Sequence, residues 1–337
     1  MITTIKDVAS RAGVSPSTVS RVIHDNGRIS EETKKRVRSA MQELGYIPNA
    51  AASSLAGKRP KTLGIVLPNN SEELFKNPFF INAMRGISIY AQDQGYMLLY
   101  SFSSDEKDEV SFIKNYLKSG WVSGIILLTV RKDDHCISYL KNAGFPFVVI
   151  GHPDEPMDTC WVDNDNFQAM YQVTNYLIEQ GYNRIGFIGG PDYYKVTQDR
   201  LSGYRKALEV RGFPVQEELI YTGPDFSELS GRKGGELLCS GIIPDAVATA
   251  DDQLAFGLLE YLAERGISHI GVTGFNNSVR GMYQKPSLTT IDVNPDLLGQ
   301  KAAELLIRRL ESEPTDIRPM CPNHYIVDTQ LIIRETS

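Results

Sequence analysis

Helices that stop at a glycine recur after residue 60, and they constrain the fold more than any other feature of the sequence. Seven helical segments end in a glycine and an apolar residue, at Gly95-Tyr96, Gly120-Trp121, Gly144-Phe145, Gly181-Tyr182, Gly212-Phe213, Gly241-Ile242 and Gly266-Ile267. Glycine supplies the left-handed residue after a helix, and we expect the apolar residue to pack back on the last turn. Strand-like runs alternate with these helices, at Thr62–Pro68, Met97–Ser101, Gly124–Val130, Phe147–Ile150, Arg184–Gly189, Ala246–Thr249 and Ile270–Thr273. This alternation predicts βαβ units with parallel sheets.

The part of the chain after residue 60 is too long for one comfortable core. It has about 275 residues, and single hydrophobic cores stop growing at roughly 250 to 300 residues. The sequence therefore predicts two α/β subdomains, each with a Rossmann-like parallel sheet, and a cleft between them. Ligands of such folds bind at the carboxyl ends of the strands.

The first 46 residues have a different pattern, which predicts three short helices. An apolar stripe runs along the first helix, and Gly13 ends it. Ser15 caps the second helix, and Pro16 takes the first helical position, where its missing N–H costs nothing. Ser30 caps the third helix, and Gly45 ends it. The residues expected to be buried are Ile5, Val8, Ala9, Ala12, Val19, Val22, Ile23, Val37, Ala40, Met41 and Leu44.

The spacing of Ala9, Gly13 and Val19 is what a helix-turn-helix requires. A small residue lets two helices cross closely, glycine makes the turn, and an aliphatic residue holds the second helix on the first. The second helix then fits the major groove of DNA with its outward side chains. Those side chains are Ser17, Thr18, Ser20, Arg21 and His24. The spacing alone also fits a three-helix protein-interaction module with incidental charge.

Charge divides the chain at the same place and favours DNA as the partner of the helical head. Residues 1–60 hold ten Lys and Arg against five Asp and Glu, a net charge of +5. The whole chain holds 35 basic and 41 acidic side chains, so the remainder has 25 against 36, a net charge of −11. A basic head on an acidic body indicates that only the head meets a polyanion.

An alanine-rich segment, residues 47–60, follows the three helices. Asn49 is placed to cap a helix and the alanines favour one, but about two turns of helix do not persist alone in water. We therefore expect a hinge that becomes helical only when a partner holds it.

Nothing in the sequence indicates an enzyme, a cofactor, a metal site or a membrane span. Esterase, zinc-protease and phosphate-loop motifs are absent, and the five histidines have no metal-binding spacing. The acidic clusters Asp105–Glu109 and Asp163–Asp165 are interpreted as solvated helix starts. Residues 1–7 do not have the pattern of a signal peptide, and the chain has no C-x-x-C pair; we therefore expect a cytoplasmic protein with free thiols. We expect these thiols to be buried, at Cys136, Cys160, Cys239 and Cys321.

Several residue strings resemble the lactose-repressor (LacI) family of bacterial transcription regulators. In the head they are Thr4-Ile5-Lys6-Asp7-Val8-Ala9, Ala12-Gly13-Val14-Ser15, Thr18-Val19-Ser20-Arg21-Val22 and Leu44-Gly45-Tyr46-Ile47-Pro48-Asn49. In the body they are Asn77-Pro78-Phe79-Phe80 and Gly274-Phe275-Asn276-Asn277. The resemblance covers nearly the whole chain. It implies a homodimer that binds a palindromic operator in double-stranded DNA, under the control of a small molecule.

The resemblance also implies a domain organisation. Residues 1–46 form the helix-turn-helix domain, 47–60 the hinge, and 61–337 the effector-binding and dimerisation domain. The last domain has two lobes of the periplasmic-binding-protein type. One lobe is expected to hold residues of about 61–161 and 293–321, and the other about 162–292 and 322–337.

From the family, the expected DNA-binding residues are Thr4, Pro16, Ser17, Thr18, Ser20, Arg21, His24, Ser30, Asn49 and Leu55. Thr4 and Ser30 contact phosphate in this assignment. Leu55 is wedged into the minor groove, where the cost of unstacking bases is offset by added contact; a buried linker residue is the alternative. Relatives commonly have an arginine at the position of Ser53 and a larger aliphatic at Ala51. We therefore expect this hinge either to grip DNA less tightly or to sit differently against its own dimer partner.

A sugar-binding cleft needs planar polar groups for the hydroxyls and aromatic faces for the apolar side of the ring. The candidates are Phe75, Asn77, Phe79, Arg200, Phe226, Asp251 and Asn276. Arg200 lies in Arg200-Leu-Ser-Gly203-Tyr204, which resembles the effector-binding arginine of the family. Asn276 is often an aspartate in relatives, so its neutral amide favours a neutral effector over a charged purine. Core packing is the alternative for each aromatic residue.

Three further segments look like maltose-operon regulators of Gram-positive bacteria. They are residues 69–77, residues 162–166 and residues 274–278. The expected function is a repressor of sugar-utilisation genes, with maltose or a maltodextrin as a candidate effector. Two alternatives stay open: a carbon-catabolite regulator whose effector is a phosphoprotein, and a sugar-binding protein or sugar enzyme without a regulatory role.

Overall fold

The computed structural model describes residues 3–23, 28–46, 60–67, 75, 77–103, 105–312 and 323–337. The chain forms two compact units, Met1–Pro60 and Lys61–Ser337. The first is the helical head, and the second is the body. Within the described residues, no helix has the length and apolar character that crossing a bilayer requires.

The helices of the head are α1 (Ile5–Ala12), α2 (Pro16–Ile23) and α3 (Glu31–Glu43). The hydroxyls of Ser15 and Ser30 each accept a hydrogen bond from the backbone amide three residues on, which caps α2 and α3. Gly13 makes the turn between α1 and α2 with a φ of +65°. Every residue expected to be buried in the head lies in or against its core. The helices, the turn and the core predicted from the apolar stripes are confirmed.

The body alternates strands and helices along the chain. Its strands are β1 (Thr62–Leu67), β2 (Met97–Phe102), β3 (Gly124–Leu127), β4 (Phe147–Ile150), β5 (Trp161–Asn164), β6 (Ile185–Gly189), β7 (Ile220–Thr222), β8 (Ala246–Thr249), β9 (Gly271–Phe275), β10 (Thr289–Asp292), β11 (His324–Val327) and β12 (Gln330–Ile332). Its helices are α4 (Pro78–Asp93), α5 (Glu106–Ser119), α6 (His135–Asn142), α7 (Asn166–Glu179), α8 (Lys195–Val210), α9 (Glu228–Leu238), α10 (Asp252–Glu264), α11 (Val279–Tyr283) and α12 (Pro295–Glu311).

The strands build two six-stranded sheets, one in each lobe of the body. The first lobe has the order β11-β5-β4-β3-β1-β2, and all of its neighbouring strands are parallel. The second lobe has the order β12-β10-β9-β8-β6-β7, in which β12 runs antiparallel to β10 and the other pairs are parallel. The two parallel-sheet lobes predicted from the βαβ alternation are confirmed.

In the described residues the chain passes between the lobes after β5, after β10, and between β11 and β12. Asn164, at the end of β5, ties these three segments together. Its side-chain amide donates to the carbonyls of Val293 (3.0 Å) and Val327 (2.9 Å). The expected assignment of residues 324–327 to the second lobe is wrong, because β11 pairs in parallel with β5 in the first lobe. For the same reason β5 itself belongs to the first lobe and the crossover follows Asn164.

Six of the seven glycines expected to end helices have a positive φ, and Gly241 does not. Helix α9 stops at Leu238 with Cys239 as its C-cap, so Gly241 lies beyond the helix end. Trp121 is a second exception. It follows Gly120 but is 66% exposed, so it does not pack back on the helix.

The cysteines of the body are free thiols among the described residues. Cys136 and Cys160 are buried, whereas Cys239 is partly exposed. The expectation of full burial is therefore wrong for Cys239, which lies at the end of α9. Cys321 lies outside the described residues.

Candidate functional site

The outward face of α2 presents the residues expected to read DNA bases. Pro16, Ser17 and Arg21 are exposed, and Thr18 and Ser20 are half-buried. Their hydroxyls and one guanidinium are short donors and acceptors of the kind that reads base edges in the major groove. His24 follows the helix and lies outside the described residues.

The two residues expected to contact phosphate precede helices of the head. Thr4 is the N-cap of α1 and Ser30 is the N-cap of α3, and both are exposed. Thr4 donates its amide and its hydroxyl to the Asp7 carboxylate, and the hydroxyl hydrogen bond is the largest effect that lowers the pKa of Asp7. Helix N-termini suit phosphate because their free amides point outward. Asn49, Leu55 and the two hinge departures at residues 51 and 53 lie outside the described residues.

A cleft of about 650 Å³ opens in the body where the strands of both lobes end. Six of the seven candidate effector residues line it: Asn77, Phe79, Arg200, Phe226, Asp251 and Asn276. They come from both lobes, because Asn77 and Phe79 follow β1 whereas the other four belong to the second lobe. Positions far apart in the sequence therefore meet in one cavity.

Phe75 is the candidate that the structure does not place in the cleft wall. It is 55% exposed, and its ring lies 5.7 Å from the ring of Phe102 at the end of β2. The expected effector contact of Phe75 therefore stays a prediction; in this structure its ring packs on Phe102 of β2, the outer strand of the first sheet.

Arg200 lies on α8, where its side chain is buried and donates hydrogen bonds to neighbouring groups of the second lobe. Its Nε donates to Asn166 Oδ1 (2.9 Å) and its Nη1 to the carbonyl of Ala250 (2.5 Å). The guanidinium lies 3.6 Å from the centre of the Phe275 ring. Burial lowers the pKa of Arg200 to about 10, against the opposing effect of nearby carboxylates led by Asp251. The group therefore stays cationic at neutral pH.

Asp251 caps α10 and links the two lobes. Its Oδ2 accepts from the side-chain amides of Asn77 (3.0 Å) and Asn276 (2.8 Å), and its Oδ1 accepts from the backbone of Gln253 (2.8 Å). Asn276 reaches it from a left-handed backbone (φ +112°), which asparagine tolerates better than most residues. Burial raises the pKa of Asp251 to about 7. The hydrogen bond from Asn77 crosses the cleft.

Asp163 is a cleft residue that the sequence interpretation missed. It was expected in a solvated helix start, but only Asp165 caps α7, whereas Asp163 is buried at the end of β5 and lines the cleft. Its Oδ1 accepts from the Asn164 amide (2.8 Å) and the Asn166 side chain (3.0 Å). Burial raises the pKa of Asp163 to about 7, against the lowering effect of these hydrogen bonds and of Arg200.

We expect Asp163→Asn to stabilise the protein above pH 7 and to have little effect near pH 4. The folded-state pKa is raised from 3.8 to about 7. Between these values only the unfolded chain gains the charge, so Asp163 opposes folding increasingly as the pH rises. Asparagine keeps the two hydrogen bonds and removes this effect, which is at most about 4 kcal/mol. The melting temperatures of both proteins from pH 4 to 8 measure it; a difference that does not grow with pH would contradict the expected burial.

Aromatic rings form the walls of the cleft, and several were not predicted. Phe226 packs on Gly190, where a Cβ atom would lie 2.5 Å from its ring, so a larger residue at this position would displace the ring. Tyr193 and Tyr194 also line the cleft, as does Phe80 beside Phe79. No spacing in the sequence marks these tyrosines, because they lie in a loop.

Polar oxygens of the cleft do not form a metal site. In the described part of the chain, no group of three or more His, Cys, Asp or Glu side chains is arranged to hold a metal ion.

Two family models match the chain. Residues 4–49 match the bacterial regulatory proteins of the lacI family, and residues 174–337 match a periplasmic binding protein-like domain. The first match covers the helix-turn-helix, and the second covers most of the second lobe. The two descriptions therefore agree with the two units of the structure.

Known proteins resemble the chain over almost its whole length. The HTH-type transcriptional regulator MalR of Streptococcus pneumoniae is 38% identical over 310 residues, which are 91% of this chain and 93% of that protein. The solved complex of the transcriptional regulator CelR with cellobiose is 31% identical, with a TM-score of 0.75 over 99% of this chain and 100% of that one. The Lac repressor dimer bound to operator and the anti-inducer ONPF is 25% identical, with a TM-score of 0.84 over 100% and 99% of the two chains.

These likenesses show that the chain belongs to the LacI family of bacterial regulatory proteins. It is a DNA-binding transcription regulator. Its relatives are regulators and not enzymes, which rules against the sugar-enzyme alternative.

Proposed function

We propose that the protein is a homodimeric repressor of sugar-utilisation genes, and that a neutral sugar in the cleft controls its affinity for a palindromic operator. The observation that carries this proposal is the convergence of planar polar side chains and aromatic rings in one cavity between the lobes. Paired hydrogen bonds to hydroxyls and stacking on ring faces are how proteins recognise sugars. We place this activity in the bacterial cytoplasm, where the operator lies.

The charge of the cleft supports a neutral ligand. Among the described residues, four carboxylates line it, at Asp163, Asp225, Glu228 and Asp251, together with the cations Lys195 and Arg200. An anionic sugar phosphate gains no net attraction from this lining, even though Asp163 and Asp251 are partly protonated near neutral pH, whereas uncharged hydroxyls use carboxylates, carboxyls and amides as hydrogen-bond partners. Maltose, a maltodextrin and cellobiose fit this requirement. We favour the first two because of the likeness to MalR.

A melting-temperature screen tests the proposed effector. Maltose, maltotriose and cellobiose are the candidate ligands, and glucose 6-phosphate is the anionic control. A ligand that binds only the folded protein raises its melting temperature, by an amount that increases with concentration above the dissociation constant. The proposal fails if glucose 6-phosphate stabilises the protein and none of the three neutral sugars does.

The proposed control of DNA binding follows from the two lobes. A sugar that contacts both lobes favours one degree of closure over another. In a dimer, closure moves the two hinges together or apart and so favours or opposes folding of the hinge helices on DNA. Two copies are required because one short helix reads only a few base pairs.

Arg21→Ala is expected to weaken operator binding by about 10- to 100-fold and to relax base preference, because an exposed arginine on the reading face contributes bidentate base contacts. Arg36→Ala is the matched control, since it removes the same charge from the exposed side of α3. Gel-shift titrations against the operator and single-base variants of it measure both effects. Selectivity that stays unchanged in Arg21→Ala would remove this residue from base reading.

A further inference from the structure

A buried ion pair in the first lobe lies outside the candidate site described above. Arg131 follows β3 and donates through both of its terminal nitrogens to Glu109 on α5, at 2.7 Å each. The two side chains are 9% and 6% exposed. Glu109 also accepts from Ser103 (3.4 Å) and from the thiol of Cys136 (3.6 Å). The sequence interpretation of Glu109 as part of a solvated helix start is therefore wrong.

Such a pair is a poor way to stabilise a lobe. Removing two charges from water costs about as much as their attraction returns, so an apolar pair of the same volume usually does as well. The pair does, however, fix the plane of a guanidinium. Hydrogen bonding to Glu109 raises the pKa of Arg131 despite the lowering effect of burial, so the group stays cationic.

The guanidinium of Arg131 meets an aromatic ring of the other lobe. Its Cζ lies 5.4 Å from the centre of the Tyr194 ring, within the range of a cation–π contact. Tyr194 precedes α8 in the second lobe. Burial raises the pKa of Tyr194 to about 12, so the ring stays neutral at physiological pH.

Backbone hydrogen bonds hold the same two segments together across the cleft. The amide of Lys132 donates to the carbonyl of Tyr193 (2.8 Å), and the amide of Lys195 donates to the carbonyl of Val130 (3.1 Å). The Lys195 ammonium adds an ion pair with Asp154 of the first lobe (3.3 Å). Residues 130–132 and 193–195 thus form a short antiparallel pair between the lobes, which we call the interlobe latch.

The latch ends at the wall of the cleft. Tyr194 lines the cavity, with its ring centre 4.7 Å from that of Tyr193 and 6.2 Å from that of Phe226. The aromatic wall of the second lobe is therefore supported from behind by a charged group of the first lobe. If the lobes were to open, Arg131 would move away from Tyr194 and the ring would lose this support.

We propose that Glu109 and Arg131 are positioning residues for Tyr194, and that Tyr194 is a sugar-stacking residue whose position depends on the interlobe latch. Sugar affinity and lobe closure are then coupled through one ring, because the ring is in place only when the lobes are together. The sugar-stacking role of Tyr194 rests on the proposed sugar effector. The latch itself does not depend on it.

Hydrogen exchange tests the latch without any ligand. The double variant Glu109→Gln/Arg131→Met removes both charges of the pair. We expect the buried Asp134 carboxylate, which Arg131 also stabilises, to take up a proton in this variant, because burial already raises its pKa. We expect the amides of Lys132 and Lys195 to exchange about tenfold faster in this variant and in Tyr194→Leu. The matched control is Arg232→Met/Glu264→Gln, which removes a bidentate pair of the same residue types within the second lobe. Unchanged exchange at both amides in the folded double variant would overturn the latch.

Titration calorimetry with maltose and with cellobiose tests the positioning role. We expect Glu109→Gln/Arg131→Met to weaken binding of the recognised sugar about tenfold, and Tyr194→Phe to lose less than Tyr194→Leu because it keeps the ring. The triple variant should bind no worse than Tyr194→Leu alone, since the pair acts through that ring. Losses that add in the triple variant would overturn the positioning role and leave the proposed effector intact. If neither sugar binds the wild-type protein, the proposed maltose or cellobiose effector fails, and so does the stacking role of Tyr194. The hydrogen-exchange experiment still tests the latch in that case.

Discussion

A chain that lacks residues 1–60 is expected to keep its sugar affinity within about twofold and to lose operator affinity by at least about a thousandfold. The body folds around its own cores, because every residue of its three apolar clusters lies after residue 60. It also carries the net charge of −11 that repels nucleic acid. Removal of the head takes away both the base-reading helix and the one of the two units that has a net positive charge.

Two measurements on the same preparation test this expectation. Calorimetry with maltose and cellobiose measures the sugar affinity, and gel shifts with the operator measure the DNA affinity. The full-length Arg21→Ala protein is the control, because it keeps the basic head and should retain non-specific DNA binding that falls with salt. Retention of operator binding by the truncated protein would place the DNA site in the body. Loss of sugar binding in a body that melts cooperatively would place part of the effector site in the head.

The elements that could be predicted are those whose pattern is local. In the head, the apolar stripe of α1, the capping serine before α2 and the glycine between them lie within a few residues of one another, and each behaves as predicted. In the body, β1 and β3 are continuous apolar runs of a kind that buried parallel strands require. These signals do not depend on where the rest of the chain goes.

Elements that depend on distant pairing could not be predicted in the same way. Strands β7 and β12 are three residues long, and β5 and β10 are four. Such segments are strands because a neighbouring strand of the sheet supplies their hydrogen bonds. The identity of that neighbouring strand cannot be inferred from the sequence. The lobe boundary was misplaced for this reason, since β11 is assigned to the first lobe by its pairing with β5.

The same difference between local and distant signals separates the site residues that could be predicted from those that could not. Asp251 and Asn276 follow predicted strands directly, so their place at a strand end could be inferred from the sequence. Asp163 lies near the end of a strand that was not predicted, and because it is buried, the interpretation of residues 163–165 as a solvated acidic cluster is wrong for it. Tyr194 meets Arg131 only because two lobes come together. Contacts between lobes are set by tertiary structure and leave no periodic signal.

Arg200→Met is expected to weaken sugar binding by at least about 100-fold while operator binding survives. The guanidinium is the cation surrounded by Asp163, Asp199, Asp251 and Asp252, and its hydrogen bonds to Asn166 and Ala250 orient it in the cleft. Methionine fills much of the volume but donates nothing, so a hydroxyl of the sugar loses a charge-assisted partner, and buried carboxylates lose their counter-charge. Because those carboxylates already have raised pKa values, we expect them to take up protons, which limits the loss of stability.

The matched control for this experiment is Arg205→Met, one turn further along α8, where the arginine is exposed and pairs with Glu217 at 2.7 Å. Arg200→Lys separates charge from geometry, since lysine restores the cation without the planar pair of donors. We expect the order of sugar affinity to be wild type and Arg205→Met, then Arg200→Lys, then Arg200→Met. Operator binding without sugar should be equal in all four proteins, and only the Arg200 variants should lose its modulation by maltose or cellobiose. Normal modulation in folded Arg200→Met would mean that the effector is recognised elsewhere, because the other cation among the described residues of the cleft, Lys195, pairs with Asp154 instead.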